Sequence, residues 1–580
     1  MMISARAEKR EGCPAGDPWV LAVLTGVPAG PLGVHGRGPV CQGADGKSLT
    51  RTDAAGTTAF TYDGQSRQAS KDVAGPTVTY HFDYTHDPAG NLTQSKQTQA
   101  AAVHTVGYHY NLLNLLDQST ENDGTTSLFG YDASRQRTDT WNVVSGTNAT
   151  PTYSTSSTWQ LLAPTGFAAH THNTITSGKL LETKTTTKSS NADANRVADL
   201  SYSYDLAAGP CVSAAPAIPH TNFKQTMTDQ LSNNVTNYCH DNSGRLIEEL
   251  TKTSTGGAVS DYSYTYDADG NRTNGPEGAH SYNAVNQITD PGAAFDADGN
   301  QTQPNNYSYN ATDQTTSFGP TGATYAGADQ KERTSLGGTT YASGATGTTS
   351  ITSTAGTTYY DRDPKGGLIG EHGPDGDLYY YFDGHGSVIG LLNRTGDVQA
   401  TYSYDAYGAH AAVGGPNTTA GNNNPWQYTS GLLDGTTGLY KYGQRYYQPA
   451  LGRWTQQDSV ESLASLADGN RYAYAGDDPV DRADPSGKVS VDCGILNCTV
   501  NFTSGETDAL ALAASAIVGG YGSGAIAVAA ASLGPVSSVL AGGVIATILY
   551  LCAYAGLNLG NCISVKVGLD LGALSSHTCN

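Results

Sequence analysis

Charge is scarce in this chain. Only 14% of its 580 residues are Asp, Glu, Lys or Arg, against roughly one quarter in ordinary globular domains. With so few Lys and Glu, solvated helices have little to be built from. Basic residues are the scarcer sign: 31 Lys and Arg face 52 Asp and Glu, a net charge of −21. That balance excludes nucleic acid as a partner of the chain as a whole, because phosphate contacts need a basic face. It serves instead to keep a large β surface in solution. The nine cysteines offer no zinc spacing: Cys493 and Cys498 have no matching pair with histidines. Five of them crowd the last 93 residues and read either as disulfides of an exported segment or as buried thiols. At the N-terminus, MMISARAEKREG and WVLAVLTGV (19–27) read as the start of a signal peptide or as a mis-started reading frame.

What the chain has in excess is tyrosine, 36 against 9 Phe, and glycine, 70 residues. The tyrosines sit in a recurring phrase. Residues 262–273 read YSYTYDADGNRT, and weaker copies include FTYDGQSRQ (60–68), FDYTHDPAGNLT (82–93), FDADGNQT (295–302) and YSYDAYG (402–408). Tyr262, Tyr264 and Tyr266 alternate with Ser263 and Thr265, so a strand would carry one aromatic and one hydroxylic face. The Asp-x-x-Gly-Asn that follows is turn chemistry. Each phrase is therefore strand, tight turn, next strand, and its recurrence predicts a repeat array in which each hairpin packs on its neighbours. Asp267-x-Asp269-Gly270 and Asp296-x-Asp298-Gly299 also look like fragments of calcium loops. Neither has the distal Glu such a loop requires, so hairpin turns are the better reading and no metal or cofactor is expected.

Four parts follow. Residues 1–45 show no strand pattern, residues 46–350 carry the repeats, residues 351–487 are denser in Tyr, Gly and Asp, and residues 488–580 differ in composition. The third part reads YYYFDGHGSVIGLLNRTGDVQATYSYDAYG (379–408), GLYKYGQRYYQPALGRW (438–454) and NRYAYAGDDPVDRADPSG (470–487). This ordered set resembles the core domain that closes Rhs and YD-repeat proteins, a family that includes the C components of Tc toxins and the shells of teneurins. The resemblance covers residues 46–487. It implies an all-β fold: YD-repeat hairpins spiralling into a partial or closed β-shell, with the variable C-terminal tail, small-residue-rich and read as helical, inside as cargo.

The resemblance also implies where chemistry would lie. Many members carry two Asp-Pro-x-Gly motifs and are cut just after the second. Here the second is intact, Asp484-Pro485-Ser486-Gly487, and the first is reduced to Asp458-Ser459-Val460-Glu461. A carboxylate dyad of Asp458 and Asp484 would hydrolyse the Gly487–Lys488 bond, one acid activating water while the other holds a proton. Arg445 or Arg453 would orient one acid, and Asp477 or Asp478 is the fallback partner. The competing reading is that these aspartates cap turns beside Pro479 and Pro485.

The tail is the last absence. From Ala509 to Val565 there is no Asp, Glu, Lys, Arg or His. Segments 510–534 and 536–557 are each long enough to span a bilayer as helices, and their small residues permit close helix pairing. No nucleophile–base arrangement appears there. The expectation is a secreted or cell-surface protein of intercellular competition. Its partners would be its own enclosed tail, a target-cell membrane and an immunity protein. The alternative is a structural or adhesive surface protein that the tail anchors.

Overall fold

Strand Thr79–His86 shows how the phrase folds. Tyr80, Phe82 and Tyr84 are buried on one face, and the residues between them are more exposed. Tyr80 meets Phe82 edge-on at 5.5 Å and Phe82 stacks on Tyr84 at 5.8 Å. The turn is built as its residues require. Asp267 Oδ1 accepts the N–H of Asp269 at 3.0 Å and of Asn271 at 2.9 Å, and Oδ2 accepts Asn271 Nδ2 at 2.9 Å. Asp296 repeats this with Asp298 and Asn300. Gly270 takes the positive φ of 75° that the turn demands. These carboxylates thus serve their own turns.

The tyrosine just before the turn has a second duty, which explains why Tyr replaces Phe. Its hydroxyl donates to a backbone carbonyl one hairpin earlier: Tyr62 to Ser48, Tyr110 to Leu92, Tyr204 to Leu180, Tyr266 to Leu246 and Tyr404 to Val388, at 2.6–3.2 Å. Each ring buries apolar area while its oxygen is satisfied against the neighbouring repeat.

The structure is a computed structural model. It describes residues 40–42 and 47–487, apart from 54, 77, 155–159, 178, 188–194, 205–222, 328–329 and 459–469, together with strands at 491–493, 498–502, 562–567 and 574–577. Antiparallel strands dominate, and among the described residues the one α-helix is the six-residue Thr418–Asn423. The chain forms two units, Met1–Thr125 with Asn305–Gly376 and Thr126–Pro304 with Asp377–Asn580. Each draws on both the repeat stretch and the core stretch.

In the first unit, the strands from Ser48–Asp53 to Leu116–Thr120 pair in sequence order. A second run pairs likewise from Tyr307–Tyr309 to Leu368–Gly373. In the second unit the run extends from Thr126–Tyr131 to Ala258–Ser263. A four-stranded sheet of Leu432–Asp434, Leu439–Tyr442, Arg445–Gln448 and Arg453–Trp454 belongs to this unit as well.

Where the tail is described it is β: Val491–Cys493, Cys498–Phe502, Cys562–Val567 and Leu574–His577 form an antiparallel sheet. Ile563, Val565 and Val567 alternate with Ser564 and Lys566, a two-residue period that favours a strand. Among the described residues no helix is long and apolar enough to cross a membrane. Segments 510–534 and 536–557 lie outside them, as do the side chains of the tail cysteines. Cys239, in the repeats, is disulfide-bonded.

Glu249 makes the second unit sensitive to pH. It is buried, and its Oε2 accepts the Ala406 N–H at 2.7 Å. Burial, and next the charge of Asp405, pushes its carboxyl up to about 8. The fold therefore favours the neutral acid. Its contribution to stability is present in acid and lost as pH rises from about 4.3, the ordinary Glu value, through about 8. Urea midpoints taken at pH 5 and pH 8 should fall less in Glu249→Gln than in the wild type. An equal fall would remove Glu249 from this role.

Candidate self-cleavage site

The end of the core is packed on tyrosine. Tyr428, Tyr440, Tyr442, Tyr447, Trp454 and Tyr474 form one buried cluster, with Tyr447 stacked on Tyr474 at 4.0 Å. The residue pattern of 438–454 puts these rings on adjacent strands, where Tyr440 pairs with Tyr447 and Tyr447 with Trp454. Arg445 lies on this platform, its guanidinium 4.2 Å from the Trp454 ring. Only 5% of Arg445 is exposed, so what it touches is little screened by water.

It touches three groups of interest. Nη2 is 2.7 Å from Asp458 Oδ2 and 3.0 Å from Asp484 Oδ2. Nε donates to the Gly487 carbonyl oxygen at 2.6 Å. One guanidinium thus joins both predicted acids to the carbonyl of the predicted scissile bond. A cation between two carboxylates also offsets their mutual repulsion.

The backbone is fixed around this point. Gly487 has φ of 65°, and a Cβ there would lie 2.6 Å from the Tyr442 carbonyl oxygen and 2.8 Å from the Arg445 nitrogen. Only glycine fits so close an approach. Gln444 N–H donates to the Ser486 carbonyl at 2.9 Å, pinning the last residues of the motif beside strand Arg445–Gln448. Ser486 Oγ donates to Asp484 Oδ1 at 2.8 Å. Asp458 is held by its backbone, its N–H donating to the Arg471 carbonyl and its own carbonyl accepting from Arg471 Nε at 2.8 Å.

Arg453 is not part of this arrangement. Its guanidinium lies 4.8 Å from the rings of both Tyr282 and Tyr472, and Nη2 donates to the Asn286 carbonyl. The reason is strand geometry: Trp454 faces Arg445, so the preceding residue points to the opposite side. The fallback acids also lie elsewhere. Asp478 is buried against His240 at 3.3 Å. Asp477 is buried near Arg245 and Arg272, and burial pushes its carboxyl up to about 7. Lys488 lies outside the described residues. Arg471 and Ser486 escaped the reading from sequence. Their motifs, NRYAY and DPSG, were visible, but the contacts they make were not.

Repeated hairpins, tyrosine clamps and this glycine- and tyrosine-rich closing sheet fit a YD-repeat fold. Residues 351–480 match the teneurin YD-shell family. Over that stretch the chain is similar to YD-shell proteins, and part of it is also similar to toxin subunits. It is 33% identical to salivary gland surface protein 1 of Aedes aegypti over 23% of this chain and 5% of that protein. To tRNA nuclease WapA of Bacillus subtilis strain 168 it is 33% identical, over 19% of this chain and 5% of that protein. Toxin subunit YenC1 of Yersinia entomophaga is 31% identical over 19% of this chain and 11% of that protein. The crystal structure of TcdB2-TccC3-Cdc42 superposes with a TM-score of 0.49 at 17% identity, covering 77% of this chain and 27% of that one. The chain thus spans a small fraction of the length of the curated relatives it matches.

Proposed function

We propose that this chain is a toxin shell that encloses its own C-terminal segment and frees it by cutting after Gly487. The observation that carries the reading is the three-way grip of Arg445 on Asp458, Asp484 and the Gly487 carbonyl. In the proposed step, Asp484 takes a proton from water, whose oxygen attacks the Gly487 carbonyl carbon. Arg445 Nε–H holds the negative charge that develops on the oxygen. The bond to the Lys488 nitrogen then breaks, and that nitrogen receives the proton from Asp484. Asp458 keeps the guanidinium in place. Turn capping is the rival role, and Asp484 does accept from Ser486, but capping assigns no purpose to the contact with Gly487.

Kinship with a toxin subunit supports an exported shell with an effector at its end. The uncharged run 509–565 makes a target membrane the first substrate to test, with an immunity protein as the partner that would protect the producer. A second reading, a surface protein anchored by its tail, is favoured by the likeness to a salivary gland surface protein. Residues 488–580 produced alone in a test bacterium separate the two. Growth arrest that depends on whether the segment is exported to the periplasm supports an effector. Normal growth in both compartments supports an anchor.

A further inference from the structure

The first unit holds a cluster that the cleavage site does not use. His104 lies on strand Ala102–Tyr110, Glu121 directly after Leu116–Thr120, Asp361 on Gly356–Arg362 and His372 on Leu368–Gly373. Asp361 is 0% exposed, Glu121 4% and His104 7%. His372 Nε2 sits 3.2 Å from Glu121 Oε2 and in contact with Asp361 Oδ2. His104 Nε2 meets the other oxygen of Asp361 at 2.8 Å. The donor atoms of Glu121, Asp361 and His372 all lie within 4.8 Å of one another.

Strand register makes the arrangement. Tyr359 pairs with His372 and Asp361 with Gly370, so Asp361 and His372 share a face, and the position opposite Asp361 carries no side chain. The His104 ring is stacked on Tyr359 at 4.8 Å, which fixes its orientation toward Asp361. One imidazole N–H serves one acceptor well. Here a single nitrogen faces two buried carboxylates, the placement a shared cation would produce. Two ligands on a tetrahedral zinc with bonds of about 2.0 Å lie roughly 3.3 Å apart, close to the spacing of His372 and Glu121.

We infer that Glu121, Asp361 and His372 form a structural site for a divalent cation of the zinc class, with His104 orienting Asp361 through its other carboxylate oxygen. One imidazole and two carboxylates, with room for water, suit a borderline metal rather than calcium or magnesium, which prefer all-oxygen shells. The ion would tie the end of strand Leu116–Thr120 to strands Gly356–Arg362 and Leu368–Gly373, and it would balance two buried carboxylates in one step. A partly exposed rival, Asp139 with His170 and His172 in the second unit, provides the control.

The test uses tag-free full-length protein, stripped with chelator and dialysed against cobalt(II) or zinc. The wild type should retain one ion per chain, show the visible absorption of tetrahedral cobalt and melt higher when loaded with zinc. His372→Gln and Glu121→Gln should bind more than tenfold more weakly, whereas His172→Gln should bind as the wild type does. No retained metal and no cobalt band in the wild type would overturn the proposal without reference to any variant. Retention unchanged in His372→Gln, or lost only in His172→Gln, would overturn it as well.

Discussion

Wild-type protein, denatured after incubation, should resolve by mass spectrometry into a large piece ending at Gly487 and a tail of 93 residues, while Asp484→Asn stays whole. The substitution keeps the shape of the side chain and its capacity to accept from Ser486, but removes the base. General acid–base catalysis contributes roughly 10²–10⁴-fold, so no cut should be visible over hours. Arg445→Lys should fail by a similar margin. A lysine keeps the charge but cannot reach two carboxylates and a carbonyl with one planar fork, and loss of one oxyanion donor costs about 10²–10³-fold. Arg453→Lys should cut like the wild type, because Arg453 packs on Tyr282 and Tyr472 rather than on the acids. A wild-type mass of 60.3 kDa that stays intact would leave Asp458 and Asp484 as turn and ion-pair residues only.

The freed tail should bind liposomes and release a trapped dye, and lysine at Ile545 or Leu549 should suppress the release. Both positions fall near the middle of segment 536–557, which has no charge of its own. A lysine at mid-bilayer costs about 2.5–3.5 kcal/mol on insertion scales, roughly a hundredfold in insertion. Lysine at Ser537, at the end of the segment, can reach the headgroups and should matter little. Full-length protein should not leak dye before cleavage if the shell covers the run. Equal leakage from the wild type and every variant, or none from any, would end the membrane reading and favour the anchor.

Local chemistry carried the fold on its own. Tyr-Ser-Tyr-Thr-Tyr followed by Asp-Ala-Asp-Gly-Asn specifies strand and turn within a dozen residues, because side-chain alternation and the φ of glycine act at short range. The intact Asp484-Pro485-Ser486-Gly487, and its place after the NRYAY stretch, were legible for the same reason. In the tail the same short-range logic makes 562–567 a strand, with Ile563, Val565 and Val567 alternating with Ser564 and Lys566, while segments 510–534 and 536–557, read as helices, lie outside the described residues. Tertiary structure alone decided which arginine meets the acids. Arg445 and Arg453 are equivalent by sequence, and only the side of the sheet on which Trp454 lies separates them. It alone placed both acids on one nitrogen, with the segment between them too long for spacing to predict contact. It also gathered His104, Glu121, Asp361 and His372, because pairing along two separate runs of strands brings together faces whose meeting no local pattern encodes.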